Sequence, residues 1–144
     1  GFGMDHEKGD FIRAMMEGVG YGFFHNYKRM KESGVAINRP FIISEGGAKS
    51  RLWRRIIADI LNEPLLWARE SKGAPVGNAI NAGVGVGIFH DYTIARQWYA
   101  SPRAEDLTEP IQQNHDAYME YFSVYRELYD RNRDLFEVLG RRGQ

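Results

Sequence analysis

Two adjacent glycines, Gly46 and Gly47, stand where an apolar run meets a helical pattern, a position that suits contact with a ligand. The apolar run covers residues 41–44, and the helical pattern follows from Ser50. Glycine has no side chain, so the backbone can turn sharply there and a flat ligand can approach it closely. The helix that follows directs free N–H groups and a positive dipole end back toward the glycines. This geometry suits a nucleotide, although strand–glycine–helix joints also occur as plain structural turns.

The other polar residues form no recognisable catalytic or metal-binding motif. The chain has no Cys, which excludes a thiol nucleophile and a Cys-based zinc site. Four histidines are present, and none pairs with another at a metal-ligand spacing: His6, His25, His90 and His115. The Gly-x-Ser-x-Gly elbow and the Walker A pattern are absent. The carboxylates are scattered, and we expect Glu17 and Asp59 to hold hydrogen bonds or ion pairs rather than to do chemistry.

Length, charge and hydropathy restrict the class of protein and its partners. A chain of 144 residues is one domain or a large piece of one. Lys plus Arg and Asp plus Glu are equal at 19 each, and the resulting zero net charge argues against a nucleic-acid partner. No apolar run approaches the roughly 20 residues that span a membrane. Because the chain opens on Gly1 rather than Met, we expect that it starts inside a longer polypeptide.

Hydrophobic periodicity predicts an α/β order of elements. Helices are expected over residues 10–32, 50–61, 74–87, 91–98 and 111–139, strands over 41–44 and 65–68, and a loop over 101–110. The first helix carries an apolar stripe formed by Phe11, Met15, Val19, Phe23 and Tyr27. The second is expected to bury Leu52, Ile56, Ile57, Ile60 and Leu61. Its arginines are expected mostly outside that face: Arg51, Arg54 and Arg55.

The two strands and the helix between them predict a parallel, right-handed crossover. Ligands of open α/β sheets bind beyond the carboxyl ends of the strands, and Gly46 and Gly47 follow such an end. The small residues of 74–87 indicate a helix packed tightly on a sheet; their glycines close a helix, whereas a dinucleotide fingerprint opens one. An aromatic stripe on the last helix is expected in the core: Tyr118, Tyr121, Phe122, Tyr125, Leu128 and Tyr129.

Four motifs, in the same order, resemble the C-terminal domain of the FGGY carbohydrate kinases. They are Arg13-Ala-Met-Met-Glu-Gly18, Gly46-Gly-Ala-Lys-Ser-x-x-Trp53, Gly73-Ala-x-x-Gly-x-Ala79, and Glu109-Pro110 before the tyrosine-rich helix. The second motif is most similar to the xylulokinase-type branch. The resemblance implies that residues 1–144 are the C-terminal part of an actin-like ATPase (ribonuclease H-like) domain, α/β in class. Short parallel strands, packed helices and a long C-terminal helix with a frayed tail at 138–144 are expected.

The resemblance also implies where the chemistry lies. ATP, accompanied by Mg²⁺, binds mainly to the C-terminal domain, whereas the sugar and the general base, an aspartate, belong to an N-terminal domain that is absent from this chain. No residue here matches that base, so neither a catalytic residue nor a metal ligand is assigned. Adenosine binding is assigned to Gly46, Gly47, Ala48, Ser50 and Arg51. Glu45 stands where the family usually has a third glycine.

The sequence thus predicts the nucleotide-binding portion of an ATP-dependent carbohydrate kinase. A ketopentose such as xylulose is the expected substrate, while ribulose, rhamnulose, gluconate and glycerol stay open. The alternative is a non-catalytic actin-like nucleotide-binding or scaffold module. The expected partners are ATP/ADP and, through the missing domain, the sugar; a homodimer of the full-length protein is left open, and the cytoplasm is the expected location. The isolated chain should be inactive and, with two strands of a larger sheet, should expose an unpaired edge.

Overall fold

The computed structural model describes residues 3–69, 73–95 and 103–141. Within these ranges the elements are α1 (Lys8–Glu32), β1 (Phe41–Ile43), α2 (Glu45–Ala48), α3 (Arg51–Leu61), β2 (Leu65–Trp67), α4 (Gly73–Gly85), β3 (Leu107–Thr108) and α5 (Gln112–Arg141). Short 3₁₀ helices occur at Tyr92–Ile94 and Ala104–Asp106. The α/β class, the mostly helical content and the long last helix agree with the prediction. None of the described helices is both long and apolar enough to cross a membrane.

The described sheet lies in a compact unit formed by Asn38–Ala58 and Glu63–Glu109. β1 and β2 pair in parallel, with Phe41 opposite Leu65, which confirms the predicted parallel pairing, while the right hand of the crossover stays a prediction. β2 also pairs with the antiparallel β3, where Leu65 lies opposite Thr108. The prediction of two strands is therefore wrong for the described residues, because β3 lies within the stretch expected to be a loop. In the order β1-β2-β3, each outer strand keeps one edge that no described strand covers.

Helix α3 supplies half of the buried apolar residues described in this unit. Ile56, Ile57 and Ala58 are almost fully buried, and so is Leu65 of β2. Leu52, which the pattern places on the inner face, is half exposed, since it lies in the first turn of the helix. Residues 59–61, at the end of this helix, belong to the second compact unit.

The second unit contains α1 and α5 and comprises Gly1–Ile37, Asp59–Asn62 and Pro110–Gln144. The two helices pack through aromatic rings: Phe122 lies 4.8 Å from Phe24 edge-to-face and 5.8 Å from Tyr21, centroid to centroid. Tyr118 and Phe122 of the predicted aromatic stripe are buried, as expected. Tyr125 is half-buried against Tyr21, and the members at 121, 128 and 129 are exposed, because the rings of α1 meet only one side of α5.

The apolar stripe predicted on α1 does not form the core of this unit. Phe11, Met15, Val19 and Phe23 are 41–69% exposed, whereas Tyr27 is buried. The buried side of α1 carries Gly20, Tyr21 and Tyr27 instead, because the rings of α5 pack there.

Three further boundaries differ from the sequence expectation. Helix α4 ends at Gly85 rather than at residue 87, where Gly87 has a φ of +77°. A side chain at Gly83 would overlap the ring of Phe89, so the tight contact at Gly83 is made with the following loop. Of the helix expected at 91–98, only the 3₁₀ turn and Ala95 are seen, and residues 96–98 lie outside the described residues. Helix α5 reaches Arg141, and the fraying expected over 138–144 stays a prediction.

Candidate functional site

The two glycines of the predicted site lie in α2, a single helical turn between β1 and α3. Ser44 precedes this turn in an extended conformation, with φ −135° and ψ 177°. The N–H groups of Lys49 and Ser50 close the turn on the carbonyls of Gly46 and Gly47, at 3.3 Å and 3.1 Å. Neither glycine has a positive φ. The expectation of a sharp glycine-dependent turn is therefore wrong, because a helical backbone is open to any residue.

The space around the two glycines differs. A Cβ on Gly47 would lie 3.0 Å from Nε1 and 3.1 Å from Cδ1 of Trp53, so the indole ring occupies that space. A Cβ on Gly46 would meet no atom of the described residues within 4 Å, apart from its chain neighbours and the backbone of its own helix. Both glycines are exposed. A side chain at Gly47 would thus press on the indole, whereas the direction of the missing side chain at Gly46 is open.

The remaining predicted site residues lie on the same segment with different exposures. Ser50 caps α3, because its Oγ accepts a hydrogen bond from the N–H of Trp53 at 3.2 Å. Arg51, the first residue of α3, is exposed. Ala48 is fully buried, and its carbonyl faces the protein. We call residues 46–51 the glycine segment; it brings four exposed candidates together and turns Ala48 inward.

A buried arginine that sequence reasoning missed supports this segment. Arg54, expected on the outer side of α3, is only 6% exposed, and its guanidinium donates a hydrogen bond to the Ala48 carbonyl. Its guanidinium carbon lies 4.5 Å from the ring centroid of Trp67, and that of Arg69 lies 4.4 Å from the same ring. Burial, together with the positive charges of Arg51 and Arg69, lowers the pKa of Arg54.

Two carboxylates that precede β3 hold Arg69, one of the two arginines on the ring of Trp67. Arg69 donates from Nε to Asp106 and from Nη2 to Glu105, the latter at 3.2 Å. Burial alone would raise the pKa of Asp106, but the hydrogen bonds from Arg69 and from the N–H of Arg103 outweigh it and lower that pKa. The contacts therefore run without a break from Asp106 through Trp67 to the glycine segment.

The two carboxylates singled out in the sequence hold structural hydrogen bonds, as expected. Glu17 accepts from Arg13 at 2.8 Å and from the hydroxyl of Tyr118 at 3.0 Å. Asp59, 1% exposed, accepts from the N–H of Ile111 and from the side chain of Asn114, at 2.8 Å each. Within residues 3–69, 73–95 and 103–141, no three His, Cys, Asp or Glu side chains come together as a metal site.

Comparisons with known proteins bear on the same segment. The sequence matches a model of the FGGY family of carbohydrate kinases, C-terminal domain, over residues 1–86, which include the whole glycine segment. The xylulose kinase of Staphylococcus epidermidis is 36% identical over 135 residues, which cover 94% of this chain and 27% of that kinase. The xylulose kinase of Bacillus subtilis is 29% identical over 139 residues, covering 95% and 27% respectively.

A solved structure gives the same picture at the level of the fold. The crystal structure of xylulose kinase from Rhodospirillum rubrum matches with a TM-score of 0.76 and 28% identity, over 95% of this chain and 27% of that protein. The chain therefore spans about a quarter of the length of these relatives.

Proposed function

This chain belongs to the FGGY family of carbohydrate kinases, as part of the C-terminal domain, and on that premise we propose that it binds the nucleotide of an ATP-dependent sugar kinase. The reaction is transfer of a phosphoryl group from ATP to a sugar hydroxyl. A ketopentose such as xylulose is the proposed substrate, because relatives matching nearly the whole chain are xylulose kinases. The full-length protein is proposed to act in the cytoplasm, where ATP is available.

The observation that carries the proposal is the open surface at Gly46. The glycine is exposed, no described atom fills the direction of its missing side chain, and α3 begins a few residues later. The planar adenine ring or the ribose can therefore lie against the backbone at this point. Arg51, exposed on the first turn of α3, offers N–H donors to the ribose or to a phosphate oxygen.

The proposed contribution of this chain to catalysis is positioning. Phosphoryl transfer depends on alignment and on stabilisation of charge more than on covalent chemistry by the protein. The glycine segment would hold adenosine so that the γ-phosphate reaches the sugar hydroxyl. Mg²⁺, when bound to the nucleotide, neutralises phosphate charge. Its ligands and the general base are proposed to lie in the part of the polypeptide that precedes this chain.

An assay of the full-length polypeptide tests the proposal. ADP formation is measured with ATP and, in turn, xylulose, ribulose, gluconate and glycerol. We expect the highest kcat/KM with a ketopentose and none from the isolated 144-residue chain. A different preferred sugar would reject the ketopentose but keep the kinase. Turnover with none of these sugars, in a protein that still binds ATP, would instead support a non-catalytic nucleotide-binding module.

A further inference from the structure

We propose that Arg54 is a positioning residue for nucleotide binding, which holds the glycine segment in the geometry that adenosine requires. The inference rests on the proposed function, because it concerns the same site. The family motif quoted above ends at Trp53 and does not include Arg54. What distinguishes Arg54 from the other arginines of α3 is burial, since Arg51 is exposed and Arg55 only partly covered.

The first support is the hydrogen bond that Arg54 makes. Its guanidinium donates to the carbonyl of Ala48, the residue that ends α2. Ala48 is fully buried, so this contact fastens the inner end of the helical turn that carries both glycines. The N–H groups of Lys49 and Ser50 donate to the glycine carbonyls from the same end of the turn. A shift of the Ala48 peptide would therefore displace the glycines.

The second support is the ring on which Arg54 rests. Its guanidinium lies over the indole of Trp67 on β2, and a cation over an aromatic face is attracted to it. Arg69 lies over the same indole and is held by Asp106. Because Arg54 is in contact with both β2 and Ala48, it fixes the glycine segment relative to the sheet.

The third support is the energetic cost of burying this charge. Among the described residues, Nε of Arg54 has no hydrogen-bond partner, although the residue is 6% exposed. The pKa of Arg54 is lowered by burial and by the neighbouring charges of Arg51 and Arg69. A well-packed apolar residue in such a place is often neutral or stabilising for the fold. Stability alone therefore does not explain a guanidinium here, whereas its contact with the glycine segment does.

Arg55 offers a matched control on the same helix. It also donates to a backbone carbonyl, but to that of Glu109 rather than to the glycine segment. Methionine is an unbranched replacement without charge or N–H donors. Arg54→Met and Arg55→Met therefore remove the same chemistry at neighbouring positions, and only Arg54→Met releases Ala48.

The test compares both variants in the full-length kinase. We expect Arg54→Met to raise KM for ATP about tenfold, as expected for loss of one charged hydrogen bond, with KM for the sugar little changed. Arg55→Met should keep the wild-type KM for ATP. Arg54→Lys, which keeps a charge and an N–H donor, should recover part of the lost affinity. Amide hydrogen exchange at Lys49 and Ser50 should be faster in Arg54→Met and unchanged in Arg55→Met.

The outcomes separate this inference from the proposed function. An active wild type in which Arg54→Met and Arg55→Met share the wild-type KM for ATP overturns the positioning role and leaves the kinase intact. A fall in kcat alone, without a change in KM for ATP, also overturns the positioning role. A wild type without turnover or ATP binding removes the proposed function and this inference with it. If Arg54→Met does not fold, Arg54→Lys decides: a raised KM for ATP supports positioning and a wild-type value overturns it.

Discussion

Gly46 and Gly47 differ in the space around them, so one added methyl group at each position separates a ligand contact from a packing contact. At Gly46 a Cβ would meet no described atom within 4 Å. Alanine is favoured over glycine inside a helix by about 1 kcal/mol, so Gly46→Ala should not lower the free energy of unfolding. Against a bound adenosine the same methyl group should cost about 1–3 kcal/mol. That cost corresponds to ATP binding about 5- to 150-fold weaker.

The same substitution at Gly47 acts on the protein itself. The Cβ would lie 3.0 Å from Nε1 and 3.1 Å from Cδ1 of Trp53. Attraction between carbon atoms is best at about 3.5–4.0 Å, so the indole must move by a few tenths of an ångström. The overpacking should cost about 1–3 kcal/mol, which cancels or exceeds the helix gain. Gly47→Ala should therefore reduce both stability and ATP affinity, and Gly47→Val should reduce them further.

Steady-state kinetics of the full-length protein, with ATP varied at saturating sugar, measure this difference together with the Tm of each variant. Gly46→Ala is expected to raise KM for ATP, leave KM for the sugar unchanged and keep the wild-type Tm. Gly47→Ala is expected to raise KM for ATP and, unlike Gly46→Ala, to lower the Tm as well. A folded Gly46→Ala enzyme with the wild-type KM for ATP would refute the assignment of adenosine to this surface.

Three further predictions concern residues that hold the fold. Asp59→Leu leaves two donors at the start of α5 unpaired and should lower the free energy of unfolding by about 2–6 kcal/mol. Asp59→Asn keeps an acceptor and should cost about half as much. Equal losses of the two variants in urea titration would contradict this. Gly83→Ala overlaps the Phe89 ring and should cost about 1–3 kcal/mol, and an unchanged Tm would show that the contact is wrong. The pKa of Asp106 is lowered below its unfolded value of about 3.9, so its stabilising effect is present above about pH 4 and is lost as pH falls through the folded pKa. Arg69→Met should raise that pKa and move the loss of stability to higher pH, and identical Tm profiles against pH would exclude the ion pair.

The crossover unit is predictable from the sequence because its signals are local. The apolar runs of β1 and β2 and the pattern of α3 place these elements within a residue of their observed ends. β3 is not predictable in this way, because Leu107 and Thr108 are too few to show an alternation. It forms because β2 offers an edge to which a short extended stretch can pair. The hydrophobic pattern also does not predict which side of α1 is buried, because that depends on which rings α5 presents.

The candidate site, like the fold, is predictable from the sequence only in part. The paired glycines are visible as a motif, but their surroundings are not: the indole beside Gly47 and the open surface at Gly46 both depend on packing. Arg54 is one of several arginines on a helix, and the pattern favours an exposed side chain. Its burial depends on Trp67, a residue of another element. Contacts between side chains of different elements have no regular spacing in the sequence, so a sequence pattern cannot detect them.

The indole of Trp67 contacts the guanidinium groups of Arg54 and Arg69. This shared contact limits the order in which the three residues can be substituted during evolution. Loss of Trp67 first would remove the ring face that attracts both cations and leave Arg54 and Arg69 to repel each other. Loss of one arginine first leaves a single cation on an intact ring, which is a milder intermediate. Lineages that abandon this stack are therefore expected to give up an arginine before the tryptophan. Among relatives, a chain that lacks an aromatic residue at this position should also lack at least one of the two arginines.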